Sequence, residues 1–349
     1  MAGLGHLSML SLELVERIQD GLCGHHVESL QETEESFLPY SFKDEAANFA
    51  GLAGLCRASK LLNRIATWRL YHTLTKSKIR SRWLPIARTL IEREDLARLV
   101  RHISMEDFEL CEDPSLLPPA VRTWYAEHLA QAPDTSGLYA DSLTKGDPSF
   151  SDGAVDFAAV ALLTSLCPKL SSLNFTQYQH ATAFAFCAPA SVLSLRDVEA
   201  SHWDTEGGFD LELLAPLFRA APNLRSLRLA QVGCEEPLDE GLRLDYLTDL
   251  DMYSCCIPGD ELIHIIRLCP NLKRLRYECG GACYGEEQFG PLEAANIILE
   301  YAISLRTVEL CLDDMDQFSD GYENLKENED QARLVLARHR IEYKPVYYN

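Results

Sequence analysis

Apolar residues recur in a fixed frame along the second half of the chain. In Pro222-Asn-Leu-Arg-Ser-Leu-Arg-Leu229 a proline is followed by leucines at relative positions 3, 6 and 8. Cys269-Pro-Asn-Leu-Lys-Arg-Leu-Arg-Tyr277 and Cys167-Pro-Lys-Leu-Ser-Ser-Leu-Asn-Phe175 keep the same spacing. Shorter copies stand at Leu247-Thr-Asp-Leu-Asp-Met252, at Leu305-Arg-Thr-Val-Glu-Leu310 and, slipped by one residue after Pro189, at Ala190-Ser-Val-Leu-Ser-Leu195. The closing Leu-x-Leu has period 2, which suits a short strand with one buried face. Between copies the period becomes helical. Leu262, Ile265, Ile266 and Cys269 share a face behind Asp260 as cap, and so do Leu292, Ala295, Leu299 and Ala302. Six units of strand, loop and helix are expected, and since such a unit cannot bury its apolar face alone, neighbours must stack.

Counted from the first apolar position, the units begin at 170, 190, 224, 247, 272 and 305, in steps of 20, 34, 23, 25 and 33. The two long steps coincide with polar or glycine-rich inserts at 199–210 and 278–290. Steps of about 20 to 29 residues are those of leucine-rich repeats, and residues 151–312 resemble that family. The resemblance implies an α/β fold, a solenoid with a curved parallel sheet. An ordinary α/β domain with fortuitous leucine spacing is the plainer reading. In a strand of this period the residue between the last two apolar positions faces outward. That row reads Asn174, Ser194, Arg228, Asp251, Arg276 and Glu309. Its alternating charges form either a self-satisfied ladder, Arg228 with Asp251 and Asp251 with Arg276, or a surface on which Arg228, Asp251, Tyr253, Arg274 and Arg276 meet a target protein.

The N-terminal region has a different pattern. Leu10, Leu14 and Ile18 fall on one helical face with Ser11 able to cap it. An acidic insert, 24–47, follows. The helical pattern resumes from Phe49 to Leu74, with an apolar seam through Leu52, Leu55, Cys56, Ser59, Leu62, Ile65 and Leu70. These pieces resemble the F-box, a three-helix module of ubiquitin-ligase receptors, whose opening motif is Leu-Pro-x-Glu-Leu-x-x-x-Ile. Here it reads Leu10-Ser-Leu-Glu13-Leu14-Val-Glu-Arg-Ile18, with Ser11 in place of the proline, and the closing part is Leu55 to Lys60 followed by Trp68 to Leu74. The resemblance implies an F-box-like helical module over 1–80 that docks on the adaptor subunit of a cullin-RING ligase through Leu10, Glu13, Leu14, Ile18, Leu55 and Trp68. The repeats would then hold a target protein. A plain helical cap on a leucine-rich scaffold with no ligase role is the alternative. Residues 81–150 are expected to be a linker with first irregular repeats, similar to that by which fungal F-box proteins enter their repeats, with a strand at Leu99–Ile103 and a helix around 121–129. The tail, 313–349, begins acidic and carries a basic amphipathic helix over Gln331–Ile341 that would close the stack.

Charge sharpens the choice of partner. The net charge is -21, yet residues 57–102 hold 12 Lys and Arg against 3 acids, so the remainder carries 20 basic against 50 acidic residues. That balance argues against nucleic acid and for proteins as partners. No stretch of 18 residues is predominantly apolar, which argues against a membrane span, and the N-terminus lacks a basic region ahead of an apolar one. A cytoplasmic or nuclear protein with reduced cysteines is expected. Cys167 and Cys269 share one slot before the repeat proline, where a small apolar residue packs. No nucleophile with base and orienter is evident. Cys255, Cys256, Cys279 and Cys283 lack zinc-ligand spacing, and the stretch from Asp316 to Glu327 puts Phe318 where a calcium loop needs an oxygen. The expectation is therefore a non-enzyme with no catalytic residue, metal or cofactor, against the rival of an enzyme with an unrecognised cysteine site.

Overall fold

The computed structural model of the protein describes residues 42–75, 83–105, 154–177, 184, 187–202, 208–233, 238–239, 241–255, 257–279, 290–311 and 322–345, and single positions at 119, 123 and 127. Two helices come first, α1 (Phe42–Ala58) and α2 (Lys60–His72). Ser59 separates them: its backbone is extended and its hydroxyl accepts from the Leu62 amide at 3.2 Å, which caps α2. The chain passes from α2 straight into β1 (Thr73–Thr75). α3 (Trp83–Glu92) and the single turn α4 (Glu94–Ala97) precede β2 (His102–Met105); α5 (Ala154–Leu166) precedes β3 (Ser172–Gln177), and β4 (Asp197–His202) follows. Then come β5 (Phe209–Asp210), a 3-10 turn at Leu211–Leu214, α6 (Ala215–Ala220), β6 (Ser226–Ala230), β7 (Val232–Gly233) and β8 (Asp249–Cys255). Three helix-strand units close the chain: α7 (Gly259–Leu268) with β9 (Arg274–Cys279), α8 (Pro291–Tyr301) with β10 (Thr307–Cys311), and α9 (Tyr322–Arg338) with β11 (Glu342–Pro345).

The described strands form a nine-stranded sheet in the order β1-β2-β3-β4-β6-β8-β9-β10-β11, in which every neighbouring pair is parallel, while β5 and β7 form a separate parallel pair. Strands are thus laid down in chain order. The cause is visible in the register, which aligns one row of apolar residues from Leu74 through Ile103, Leu173, Val198, Leu227, Leu250 and Leu275 to Val308. A second row runs from Met105 through Phe175, Ala200, Leu229, Met252 and Tyr277 to Leu310, and both rows are buried. Burying a leucine-sized side chain contributes about 1.5–3 kcal/mol, so these rows hold the sheet to the helices behind it. The main chain repeats as regularly. Arg225 and Ser226 donate to the Arg196 carbonyl at 2.7 and 3.0 Å, Thr248 and Asp249 to Arg225, Lys273 and Arg274 to Thr248, and Arg306 and Thr307 to Lys273.

The pattern also corrects several expectations. The unit placed at Ala190–Leu195 is turn, and the strand that pairs with β3 and β6 is Asp197–His202, so the repeating triplet there is Leu195, Val198, Ala200. Starts at 170, 195, 224, 247, 272 and 305 give steps of 25, 29, 23, 25 and 33, more even than the slipped frame. A buried alanine in place of a leucine hid this copy. The strand expected at Leu99–Ile103 is His102–Met105, and it is second in the sheet, since Thr73–Thr75 pairs ahead of it. The seam from Leu52 to Leu70 is broken by Ser59, which is exposed and starts a new helix. Asp260 is not the cap of α7: Pro258 stands there with no side-chain bond, and Asp260 lies in the first turn. Of the face expected on α8, Ala295 and the C-terminal Ala302 are buried, together with Pro291, Ala294, Ile297 and Ile298, while Leu292 and Leu299 are only half-buried. The C-terminal helix begins at Tyr322, taking in part of the acidic segment, and leads into β11 at the sheet edge. The helix expected around 121–129 lies almost wholly outside the described residues.

Candidate functional site

The outward row of the sheet is the candidate site. Register places Glu199, Arg228, Asp251, Arg276, Glu309 and Lys344 side by side on β4, β6, β8, β9, β10 and β11. Charge alternates along all six. Ser194 drops out of this row because it lies in the turns before β4, and Glu199 takes its place next to Asn174. The alternation was therefore partly legible, and it lengthens by a residue at each end once the frame is set.

The row is unevenly paired. Arg276 reaches Asp251 with Nε to Oδ1 at 3.8 Å and Glu278 with Nη2 to Oε2 at 3.4 Å. The first distance is too long for a hydrogen bond, and Arg276 Nε and Asp251 Oδ1 are both buried without a hydrogen-bond partner. Glu278 is 1 % exposed, so Arg276 neutralises a buried carboxylate. Lys344 Nζ lies 3.9 Å from Glu309 Oε1 at the far end. Arg228, by contrast, is exposed and makes no ion pair within 4.0 Å among the described residues, so the expected Arg228 to Asp251 rung is adjacent in register but open. Arg274 sits two residues before Arg276 on β9, where its Nε bonds Asp249 Oδ1 at 3.1 Å. Tyr253 is 47 % exposed at the end of β8, next to Ser254 in the left-handed region (φ 49°) where the register with β9 shifts. Of the five expected target residues, Arg228, Asp251 and Arg276 thus share one row, with Arg274 and Tyr253 flanking it.

The expected adaptor residues divide differently. Leu10, Glu13, Leu14 and Ile18 lie outside the described residues. Leu55 is half-buried on α1. Trp68, 38 % exposed on α2, leans on His72 with ring centroids 4.8 Å apart, and the Arg69 guanidinium lies 5.0 Å from its centroid. His72 in turn meets His102 of β2 at 5.1 Å. Trp68 therefore ties the helices to the sheet as well as facing solvent. Leu61, 57 % exposed, stands a further seven residues back on the same helix, with Ile65 between them.

Burial pushes the Cys187 and Cys269 thiols up to about 12 and the Cys167 thiol up as well, which suppresses thiolate chemistry at these three residues. Cys255 Sγ donates to the carbonyls of Leu229 and Tyr253 at 3.7 and 3.3 Å. Among the described residues no group of three His, Cys, Asp or Glu could hold a metal ion, and no helix is long and apolar enough to cross a membrane. No protein-family model matches this chain, and no curated protein matches it either.

Proposed function

We propose that the protein is a non-catalytic substrate receptor, in which leucine-rich repeats hold a target protein and an F-box-like N-terminal module docks on the adaptor of a cullin-RING ubiquitin ligase. The observation that carries the reading is the register itself: Leu-x-x-Leu-x-Leu copies lie side by side on parallel strands in chain order, as stacked repeats require. Two features support the binding roles. On the sheet, the outward row keeps charged side chains at the surface, with Arg228 exposed and outside any ion pair among the described residues and Arg276 half-exposed, as a polar target surface requires. On α2, Leu61, Ile65 and Trp68 at i, i+4 and i+7 form an apolar stripe outside the sheet core.

Copurification of the adaptor with the tagged full-length chain tests the ligase half. Leu14→Asp is expected to remove the adaptor while leaving the circular dichroism spectrum unchanged, since an unpaired carboxylate in an apolar contact costs several kcal/mol. Unchanged adaptor recovery would reject the F-box assignment. The contact of Trp68 with His72 favours a second reading, a protein-binding scaffold in which α1 and α2 cap the first strand. Under it neither parent nor variant recovers the adaptor.

A further inference from the structure

A second row of charge on the same sheet behaves unlike the first. One residue ahead of the strands, the main-chain bonds stack Arg196, Arg225, Thr248, Lys273 and Arg306 as consecutive neighbours along β4, β6, β8, β9 and β10. The outward row alternates in sign, and this rim does not: four of its five residues are cationic. Arg196 spends its Nη1 on the carbonyls of Leu193, Leu195 and Asn223. Arg225, Lys273 and Arg306 are exposed and make no ion pair within 4.0 Å among the described residues. The rim's carboxylates are largely committed, Asp249 to Arg274 at 3.1 Å and Asp245 to Arg243 at 3.2 Å, which leaves Asp197 beside Arg225 and Arg228. Asp197 offsets one of these cations at most, and like charges on adjacent strands repel, so in a chain of net charge -21 this row keeps an excess of positive charge that an anion from outside would match.

The same rim carries exposed apolar side chains. Leu193, Tyr246 and Ile303 are 51, 60 and 89 % exposed, and each stands one or two residues before the first buried leucine of its unit, at Leu195, Leu247 and Leu305. Pro222 and Pro270 fill that place in the units between. Asn223 and Asn271 hold these loops rigid by donating to the Leu193 and Asp245 carbonyls at 2.9 and 2.8 Å. At about 4.8 Å per strand, the three exposed apolar residues recur roughly every 10 Å, which is about three residues of an extended chain at roughly 3.3 Å each.

We propose that this rim is a docking surface for an extended acidic peptide segment of a partner protein, with an apolar side chain at every third residue and carboxylates between, laid across the beginnings of β4, β6, β8, β9 and β10. The apolar residues of the peptide cover Leu193, Tyr246 and Ile303, and its carboxylates meet Arg225, Lys273 and Arg306. Rigid loops keep the ordering cost on the protein side low. Nucleic acid fits less well, because the exposed row offers two aliphatic side chains and only one aromatic for bases to stack on. The inference rests on the protein-binding half of the proposed function and is independent of adaptor docking.

The test is a fluorescence-polarisation titration of the full-length chain against a labelled peptide, Ser-Leu-Asp-Glu-Leu-Asp-Glu-Leu-Ser. Saturable binding is expected, weakening by about tenfold or more between roughly 50 and 300 mM salt. Arg225→Glu with Lys273→Glu, both at exposed positions, is expected to lose at least about tenfold in affinity, and Leu193→Ser with Ile303→Ser a similar amount, with melting temperatures near the parent's. A peptide with lysine in place of the acids, and one with its leucines at every second residue, are expected to bind at least about tenfold more weakly. Absence of binding by the parent chain, equal binding by the lysine peptide, full affinity in the Arg225→Glu, Lys273→Glu variant, or displacement by oligouridylate at lower concentration than by unlabelled peptide would each overturn the inference. Adaptor copurification from the same preparations reports on the ligase reading alone.

Discussion

The Asn223 side-chain amide donates to the Leu193 carbonyl at 2.9 Å, thirty residues away in sequence but one strand away in space. Asn271 repeats the bond two units later, onto Asp245 at 2.8 Å. The Pro-Asn-Leu signature is thereby explained. The proline fixes φ in the turn, the asparagine bonds the preceding unit, and the leucine enters the core. Asn223→Ala and Asn271→Ala should each lower stability by about 0.5–1.5 kcal/mol in urea unfolding. Because the two sites are separated by a strand and share no partner, the double variant should lose close to the sum.

A buried hydroxyl holds the chain where β8 ends. Tyr277 Oη donates to the Cys255 carbonyl at 3.2 Å and accepts from the Ile257 amide at 3.1 Å. Tyr277→Phe keeps the ring in the core but strips a buried amide and carbonyl of these partners, so a loss of about 1–3 kcal/mol is expected in urea unfolding. Hydrogen exchange of the Ile257 amide should speed up in the same variant. An unchanged rate would mean that this loop does not depend on the hydroxyl.

How far the fold could be read in advance follows from which residues carry the repeat. Leu224, Leu227 and Leu229 announce a strand because leucine at that spacing has one job. Leu195, Val198 and Ala200 do the same job, but Ala200 is small enough to be missed, and the frame slips to Leu195 as the end of a copy instead of its start. β1 and β11 were illegible for another reason: each is short, and Thr73–Thr75 and Glu342–Pro345 gain their strand character from the neighbour they pair with. The charge row is legible despite the slip, since Arg228, Asp251 and Arg276 come from the clear copies. The basic rim is not legible in the sequence because its residues precede the strands, where period 2 does not apply and only the stacked register brings Arg225, Lys273 and Arg306 into line.

Where the helices meet the sheet, pH should matter. Burial, and then the Arg101 charge, hold the His102 imidazole below its usual value, with the His72 ring 5.1 Å away. The folded state therefore prefers neutral His102 more than the unfolded chain does. That preference is neutral to stability above about pH 6.5 and becomes a growing loss as pH falls through that value, because the unfolded chain binds the proton more tightly. His102→Asn is expected to flatten the fall in melting temperature between about pH 7 and pH 5. A parallel fall in parent and variant would assign the slope to another group.

Arg228 and Arg276 occupy the same row and should lose very different amounts of stability on charge reversal. Arg276→Glu leaves Glu278, 1 % exposed, without this cation and adds a third carboxylate beside Asp251, so roughly 3–5 kcal/mol of stability should be lost, as when one partner of a buried pair is removed. Arg228→Glu touches no ion pair among the described residues and should cost less than about 1 kcal/mol, from repulsion by its row neighbours Glu199 and Asp251. Arg228→Glu is therefore the clean probe of the outward row: proteins captured from extract by the full-length chain should change with this substitution while the melting temperature moves little. If the captured set is unchanged by Arg228→Glu, the alternation from Glu199 to Lys344 is a structural ladder, and target contact belongs elsewhere on the sheet.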